Sequence, residues 1–211
     1  MKRFLLAGVL AACSTTPEPD PATLLPRLDV VATESELRIA VAFEDDKHVA
    51  DVDVAFRGQT LHLDRPSEHS YAVTTFIDLD HPVQNHEPIV VTVDGIVMTL
   101  DPPPPFDGLS VPQFISRSGT ATISWTTPSP EQVIWYTGSP CVRGGGMTEP
   151  NATSVSFTSA NWLPPDVGPG GGTCTTDLTL VRERMGSVDP QFQGGMTLVD
   201  QQADVVFAST P

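Results

Sequence analysis

The sequence predicts an all-β protein built from two small antiparallel β-sandwich domains, and three observations support this class. Apolar and polar residues alternate with a period of two in many short segments, the pattern of half-buried strands. The 211 residues include 21 prolines and 16 glycines, so few windows of a dozen residues could form an uninterrupted helix. A run of four prolines at 102–105 then divides the strand-rich chain into two halves.

The first half, residues 28–101, contains a dense series of predicted strands. The segments ELRIAVAF, ADVDVAFR and YAVTTFIDL each place apolar side chains on one face. IVVTVDGIVMTL predicts two strands joined at Asp94-Gly95, a dipeptide favoured in tight hairpin turns. Such a density of short strands is typical of a β-sandwich.

The second half, residues 109–211, continues the pattern in GTATISWTT, QVIWYTG, TSVSFTS, TDLTLVRE and ADVVFAS. Two glycine-rich segments, SPCVRGGGMTEPN and PPDVGPGGGTC, lie between these predicted strands, and loops of such length are uncommon unless they are functional or pinned. The proline-rich segment 102–108 predicts a stiff linker between two domains. The composition changes across this linker, since all five histidines precede it and all three tryptophans follow it.

The N-terminus has the parts of an export signal. An apolar stretch follows the basic pair at positions 2–3 and ends in Leu10-Ala11-Ala12-Cys13. This order resembles the lipobox of bacterial lipoproteins. The resemblance implies that residues 1–12 are a signal peptide, that the Cys13 sulfur carries a diacylglyceryl group, and that the new amino terminus is acylated, for example with palmitate. Two or more acyl chains anchor a protein stably to a membrane.

Residues 13–27 predict an extended, proline-rich tether between this anchor and the first domain. By analogy with the lipoprotein family, Ser14 favours the outer membrane, because an aspartate there would indicate retention in the inner one. The chain would then face the periplasm or the cell surface. No second apolar run is long enough for a transmembrane helix.

The charge of the chain excludes one class of partner. Without Lys2 and Arg3, 9 of the 11 basic residues remain against 26 acidic ones, a formal net charge of −17. Such a chain repels nucleic acid and anionic lipid. We therefore expect no nucleic-acid partner.

Cys141 and Cys174 are the two remaining cysteines, and each lies beside a Gly-Gly-Gly run. In an exported protein such a pair most simply forms a disulfide, with two free thiols or a soft-metal pair as alternatives. Trp125 on one predicted strand, Trp135 on the next and a disulfide nearby resemble the architecture of an immunoglobulin or fibronectin-type sandwich. In an immunoglobulin domain the first cysteine precedes the core tryptophan, whereas both cysteines here follow it. We therefore expect the bridge to join loops rather than to cross the core.

Metal-ligand residues are concentrated in the segment FIDLDHPVQNHEP. Imidazole and carboxylate together suit zinc, copper or nickel. The alternative, which we favour, is an ordinary polar loop of an acidic domain with no cofactor. The residues concerned are Asp78, Asp80, His81, His86 and Glu87.

The glycine-rich segments carry recognition chemistry. The sequence contains no serine-hydrolase elbow, zinc-protease motif, phosphate loop or calcium loop. Arg143 could pair with a carboxylate, and Trp162 could stack on a sugar ring or a flat protein surface. The sequence therefore predicts a membrane-anchored, non-enzymatic binding or structural module of the cell envelope. Its candidate binding surface contains Arg143 and Trp162, and its expected partner is an envelope protein or polysaccharide. A metal-binding lipoprotein and an unrecognised envelope enzyme are the alternatives.

Overall fold

The structure is a computed structural model that describes residues 25–43, 51–63, 72–139, 141–142, 144–161 and 172–210. Within these ranges the chain is all-β, as predicted, with a short 3-10 turn at Ser159–Asn161. No helix of the described ranges is long and apolar enough to cross a membrane. The strands are β1 Pro26–Ala32, β2 Glu36–Phe43, β3 Val52–Phe56, β4 Gln59–Leu63, β5 Ala72–Asp78, β6 Ile89–Val93, β7 Ile96–Leu100, β8 Phe114–Ser116, β9 Ala121–Ser124, β10 Val133–Gly138, β11 Gly145–Met147, β12 Ser154–Phe157, β13 Cys174–Gly186 and β14 Met196–Thr210.

The strands form three sheets. An eight-stranded sheet has the order β11-β10-β13-β14-β1-β2-β5, with β8 also pairing with β14. A four-stranded sheet has the order β4-β3-β6-β7, and β12 and β9 form a two-stranded sheet. Two of the pairings are parallel, β1 with β14 and β8 with β14, while the other strand pairs are antiparallel.

Two hydrophobic cores lie between these sheets. The first joins the four-stranded sheet to β1, β2 and β5, and it also includes Val188, Phe192 and Val199 from near the end of the chain. The second joins β9 and β12 to β10, β13 and β14. The first core is therefore not built from residues 28–101 alone, because part of its apolar surface comes from the second half of the sequence.

The hairpin of β13 and β14 runs through both cores. β14 has 15 residues, which at about 3.3 Å per residue makes it about 50 Å long. Its start pairs with β1, where Arg27 lies beside Met196. Its end pairs with the start of β13, where Cys174 lies beside Ser209. We call these the proximal and distal ends of the sheet.

Strand β1 begins earlier than the sequence indicated. Pro26 and Arg27, predicted as the last residues of the tether, open β1. Leu28, Val30 and Ala32 then point into the first core. Residues 1–24, which include the signal segment and most of the tether, lie outside the described residues.

The proline segment is packed into the protein and is not an exposed spacer. All four prolines at 102–105 are buried. Arg182 from β13 donates hydrogen bonds through Nη1 to the carbonyl oxygens of Pro104 and Pro105, at 2.6 and 2.8 Å. Arg184 donates to those of Asp101 and Pro102, at 3.0 and 3.3 Å. Because proline has no N–H group, burial of this segment requires donors only for its carbonyls, and the two arginines provide them for three of the four prolines.

Candidate functional site

The segment predicted to bind metal is organised around an arginine. The Arg57 guanidinium contacts Glu87 through two hydrogen bonds of 2.7 and 3.1 Å, and Asp80 through a third of 3.1 Å. Its Nη2 also lies 2.7 Å from Nδ1 of His81. The hydrogen bond from Arg57 is the main reason why the pKa of Glu87 lies below its ordinary value. A cation of the protein itself thus lies among these three side chains.

The other two predicted ligands lie outside this contact. Asp78 ends β5, where it pairs with Glu36 of β2, and His86 is exposed in the loop before β6. Among the described residues, no group of three or more His, Cys, Asp or Glu side chains could hold a metal ion. Arg57 was not predicted as part of this cluster. It lies in the two-residue turn Arg57-Gly58 with a positive φ of 47°, and an arginine in a sequence does not indicate that conformation.

The predicted disulfide is confirmed. Cys141, just after β10, is bonded to Cys174, the first residue of β13, and their Cα atoms are 6.3 Å apart. Both residues are buried. Ser139 accepts a hydrogen bond from the Cys141 N–H and donates one to the Thr175 carbonyl. The bridge therefore joins a loop to a strand end at the distal end of the sheet.

Part of the first glycine-rich segment is strand rather than loop. Gly145–Met147 form β11 and pair with β10. A Cβ on Gly146 would lie 2.9 Å from Nε1 of Trp135, and one on Gly145 would lie 3.0 Å from the Trp135 carbonyl oxygen. The glycines are needed here because the backbone of β11 passes directly against this tryptophan.

The predicted binding residues Arg143 and Trp162 lie outside the described residues, as does the predicted lipid-attachment residue Cys13. Their roles stay predictions. The described structure does place Cys141 and Gly144, which lie on either side of position 143 in the sequence, at the distal end of the sheet. That is the end opposite to the start of β1.

An exposed apolar surface on the eight-stranded sheet was missed from the sequence. Phe114, Tyr136, Met147 and Val206 are each about half to two-thirds exposed, and all four point outward at the distal end. Leu178 and Leu180 on β13 of the same sheet, by contrast, point inward and have no exposure. In QVIWYTG and ADVVFAS both alternating sets of positions carry apolar residues, so periodicity alone did not show which set faces solvent.

The middle of the same outer face carries an acidic group in an unfavourable position. Asp200 of β14 lies beside Glu183 of β13, and no described group donates a hydrogen bond to its buried Oδ1. Burial, followed by the negative charges of Glu183 and Asp29, raises the pKa of Asp200 to about 6, and Arg38 opposes this shift. Arg38 itself forms an ion pair of 3.5 Å with Asp29.

No protein-family model matches this chain, and no curated protein matches it. Solved structures with a similar arrangement include DIP-gamma IG1+IG2, with 12% identity, 92% of this chain and 99% of that chain covered, and a TM-score of 0.26. Tandem Ig repeats of Dlar have 8% identity, 91% and 98% coverage and a TM-score of 0.30. Chicken CNTN1 FN1–FN3 domains have 12% identity, 89% and 67% coverage and a TM-score of 0.28. Similarities this low carry no inference about activity or partners.

Proposed function

We propose that this chain is a non-enzymatic binding or structural module of a bacterial cell envelope, anchored to a membrane through a lipid on Cys13. One structural observation carries the proposal. A single long sheet joins both cores, with the start of β1 at its proximal end and the Cys141–Cys174 disulfide at its distal end. An anchor on the N-terminal side would therefore leave the distal end pointing away from the membrane.

The dimensions of the sheet support a role as a rigid arm. From Met196 to Ser209 the strand β14 advances about 43 Å at about 3.3 Å per residue. The buried proline segment is held to β13 by Arg182 and Arg184, and these contacts restrict motion of one core relative to the other. The distal end of the sheet would be held at a fixed distance from the start of β1.

Two of the groups with shifted pKa values, Glu87 and Glu131, are accounted for by ion pairs within the fold. Groups with shifted pKa values often mark active sites in clefts. Here the pKa of Glu87 is lowered mainly by its hydrogen bond to Arg57. The pKa of Glu131 is also lowered, because hydrogen bonds from Ser129 and Arg184 outweigh the opposing effect of burial. Both groups are parts of structural ion pairs.

Metabolic labelling tests the anchor. Palmitate supplied to the producing bacterium should label the wild-type protein, which should fractionate with membranes. Cys13→Ala should abolish both the label and the membrane fractionation, while its thermal unfolding in the soluble fraction matches that of the wild type. A soluble, unlabelled wild type would show that the lipoprotein proposal is wrong.

The surface predicted from sequence has its own test. The double variant Arg143→Ala, Trp162→Ala should lose envelope partners that the wild type captures, whether protein or polysaccharide. Equal capture by the two proteins would remove Arg143 and Trp162 from the binding surface, and catalytic consumption of a partner would contradict the non-enzymatic class.

A further inference from the structure

Exposed apolar side chains are concentrated on one face of the eight-stranded sheet. Seven large hydrophobic residues are strongly exposed in the described part of the chain, and Val97 on β7 is the one outside this sheet. Phe76 and Met185 lie on its proximal half. The other four are at the distal end and, with two aspartates among them, form what we call the distal face: Phe114, Tyr136, Met147, Asp177, Asp204 and Val206.

The strand register places these residues on the same side of the sheet. Tyr136 is paired with Thr179, which is paired with Asp204. Val206 is paired with Asp177 in the next outward row, and Phe114 is paired with Ala208 in the row after that.

Met147 completes the distal face on the edge strand β11, where it is paired with Ile134. The distal face crosses five strands, so it is about 19 Å wide, and its rows cover about 20 Å along the strands. Within this area of about 400 Å² the exposed apolar side chains lie among Asp177, Thr179 and Asp204, and apolar patches bordered by polar residues often mark interaction sites.

The distal face is acidic as well as apolar. Its charged groups are Asp177 and Asp204. No lysine, arginine or histidine occupies a described outward position on the five strands of this face, which are β8, β10, β11 and the distal halves of β13 and β14. The whole chain has a formal net charge of −15. A second copy would therefore bring a like-charged face onto this one, whereas a basic partner would be attracted to it.

The surface is also rigid before it binds. β13 and β14 are paired over 13 consecutive residue pairs, and the disulfide fixes the β10–β11 connection to the start of β13. A partner would not have to order these strands, so little of the binding free energy would be lost to ordering. Aliphatic side chains such as Met147 and Val206 suit apolar protein side chains better than they suit sugar rings.

We propose that the distal face binds a basic protein segment whose apolar side chains cover Tyr136, Met147, Val206 and Phe114 and whose lysines or arginines pair with Asp177 and Asp204. This inference rests on the proposed function as a binding module and names its surface and class of partner. A flat, open sheet face suits an extended segment, because alternate side chains of such a segment point to one side.

A synthetic peptide of alternating lysine and leucine, labelled with fluorescein, tests this directly. We expect the full chain, purified from the producing cell, to bind this peptide in fluorescence anisotropy, and the affinity to fall as salt is raised. Tyr136→Ser with Met147→Ser should weaken binding about tenfold or more, as removal of central apolar contacts does at interfaces. Asp177→Asn should weaken it less and reduce its salt dependence. Val97→Ser, an equally exposed change on the other sheet, should leave the affinity unchanged.

Several outcomes would overturn the inference. Equal affinity of the Tyr136→Ser, Met147→Ser variant would show that the peptide binds elsewhere. Equal binding of a lysine–serine peptide would reduce the interaction to charge alone, and equal binding of a glutamate–leucine peptide would exclude charge complementarity. Retention on insoluble peptidoglycan that depends on Tyr136 would replace the protein partner with a polysaccharide. A dimer lost in the double variant would replace it with a second copy.

Failure of this inference is distinguishable from failure of the proposed function. A palmitate-labelled, membrane-bound protein that does not bind the lysine–leucine peptide would support the proposed anchor and contradict the proposed partner. A protein that binds the peptide through Tyr136 but carries no lipid would support the proposed binding surface and contradict the proposed anchor.

Discussion

Replacement of Arg182 tests whether the junction between the two cores is a rigid part of the fold. Its side chain has no exposure to solvent. The guanidinium donates hydrogen bonds to the carbonyl oxygens of Pro104, Pro105 and Thr127. Its central carbon lies 4.3 Å from the centre of the Phe106 ring. Burial lowers the pKa of Arg182 to about 10, so the side chain is still charged, with its donors in place, at neutral pH.

The expected cost of Arg182→Ala follows from these contacts. Three hydrogen bonds to buried carbonyls contribute about 1 kcal/mol each, and the cation–π contact with Phe106 adds about 1 kcal/mol. Removal of a buried charge offsets part of this loss, because its desolvation is no longer required. We expect a net destabilisation of about 2–3 kcal/mol. Arg182→Lys should lose about half as much, since one ammonium cannot reach three carbonyls with the geometry of a guanidinium.

Scanning calorimetry and urea unfolding would measure the effect. For a chain of this size about 2–3 kcal/mol corresponds to a fall in Tm of about 5–10 °C. Because Arg182 lies where the cores meet, Arg182→Ala should also broaden or split the unfolding transition. Arg27→Ala, an exposed arginine on β1, is the control and should change stability by less than about 0.5 kcal/mol. A change at Arg182 as small as that, with one sharp transition, would refute the role assigned to the junction.

Three further outcomes are expected. The pKa of Asp200 is raised to about 6 from an ordinary 3.8, so the folded state binds this proton more tightly than the unfolded state does. The free energy of unfolding should therefore fall as pH rises from about 4 to 6. Asp200→Asn should remove this pH dependence and raise the free energy of unfolding at pH 7 by about 1 kcal/mol after allowance for solvent screening. A Cβ on Gly195 would lie 2.2 Å from a backbone oxygen of β1, so Gly195→Ala should lower the free energy of unfolding in urea by about 2–4 kcal/mol. Gly138 has open space around it, so Gly138→Ala is the control and should leave this free energy nearly unchanged. Cys141 and Cys174 should resist alkylation until reduced, and reduction should cost about 3–4 kcal/mol; quantitative alkylation of the unreduced protein would contradict the bridge.

Local alternation predicted most of the strands of the first half and the β class of the whole chain. It missed β4, and it missed β1 because proline-rich sequence leads directly into that strand. It also could not show that β1 pairs in parallel with β14 near the end of the chain. Such long-range pairing depends on packing between distant segments, which periodicity does not record. The same limit explains the proline segment, since its burial depends on two arginines about 80 residues later in the chain.

The candidate sites show the same division. The disulfide was predictable because, in a chain expected to be exported, two remaining cysteines have few other partners. The contacts of Arg57 with Asp80 and Glu87 were not, because they depend on a turn conformation that arginine seldom adopts. The distal face was hidden because Tyr136 and Val206 lie on strands that are apolar on both sides.

The parallel pairing of β1 with β14 has a consequence for the order in which the chain can fold. Val199 belongs to the first core, and Met196 to Gln201 provide the neighbouring strand of β1. Contacts between such distant parts of a sequence form late and slow folding, because a long loop must close before they are made. The amino-terminal half is synthesised first, yet its core is complete only when nearly the last residues of the chain have arrived. During that interval one edge of β1 lacks its partner strand, and an unpaired edge is the feature of a folding intermediate that most readily joins another chain.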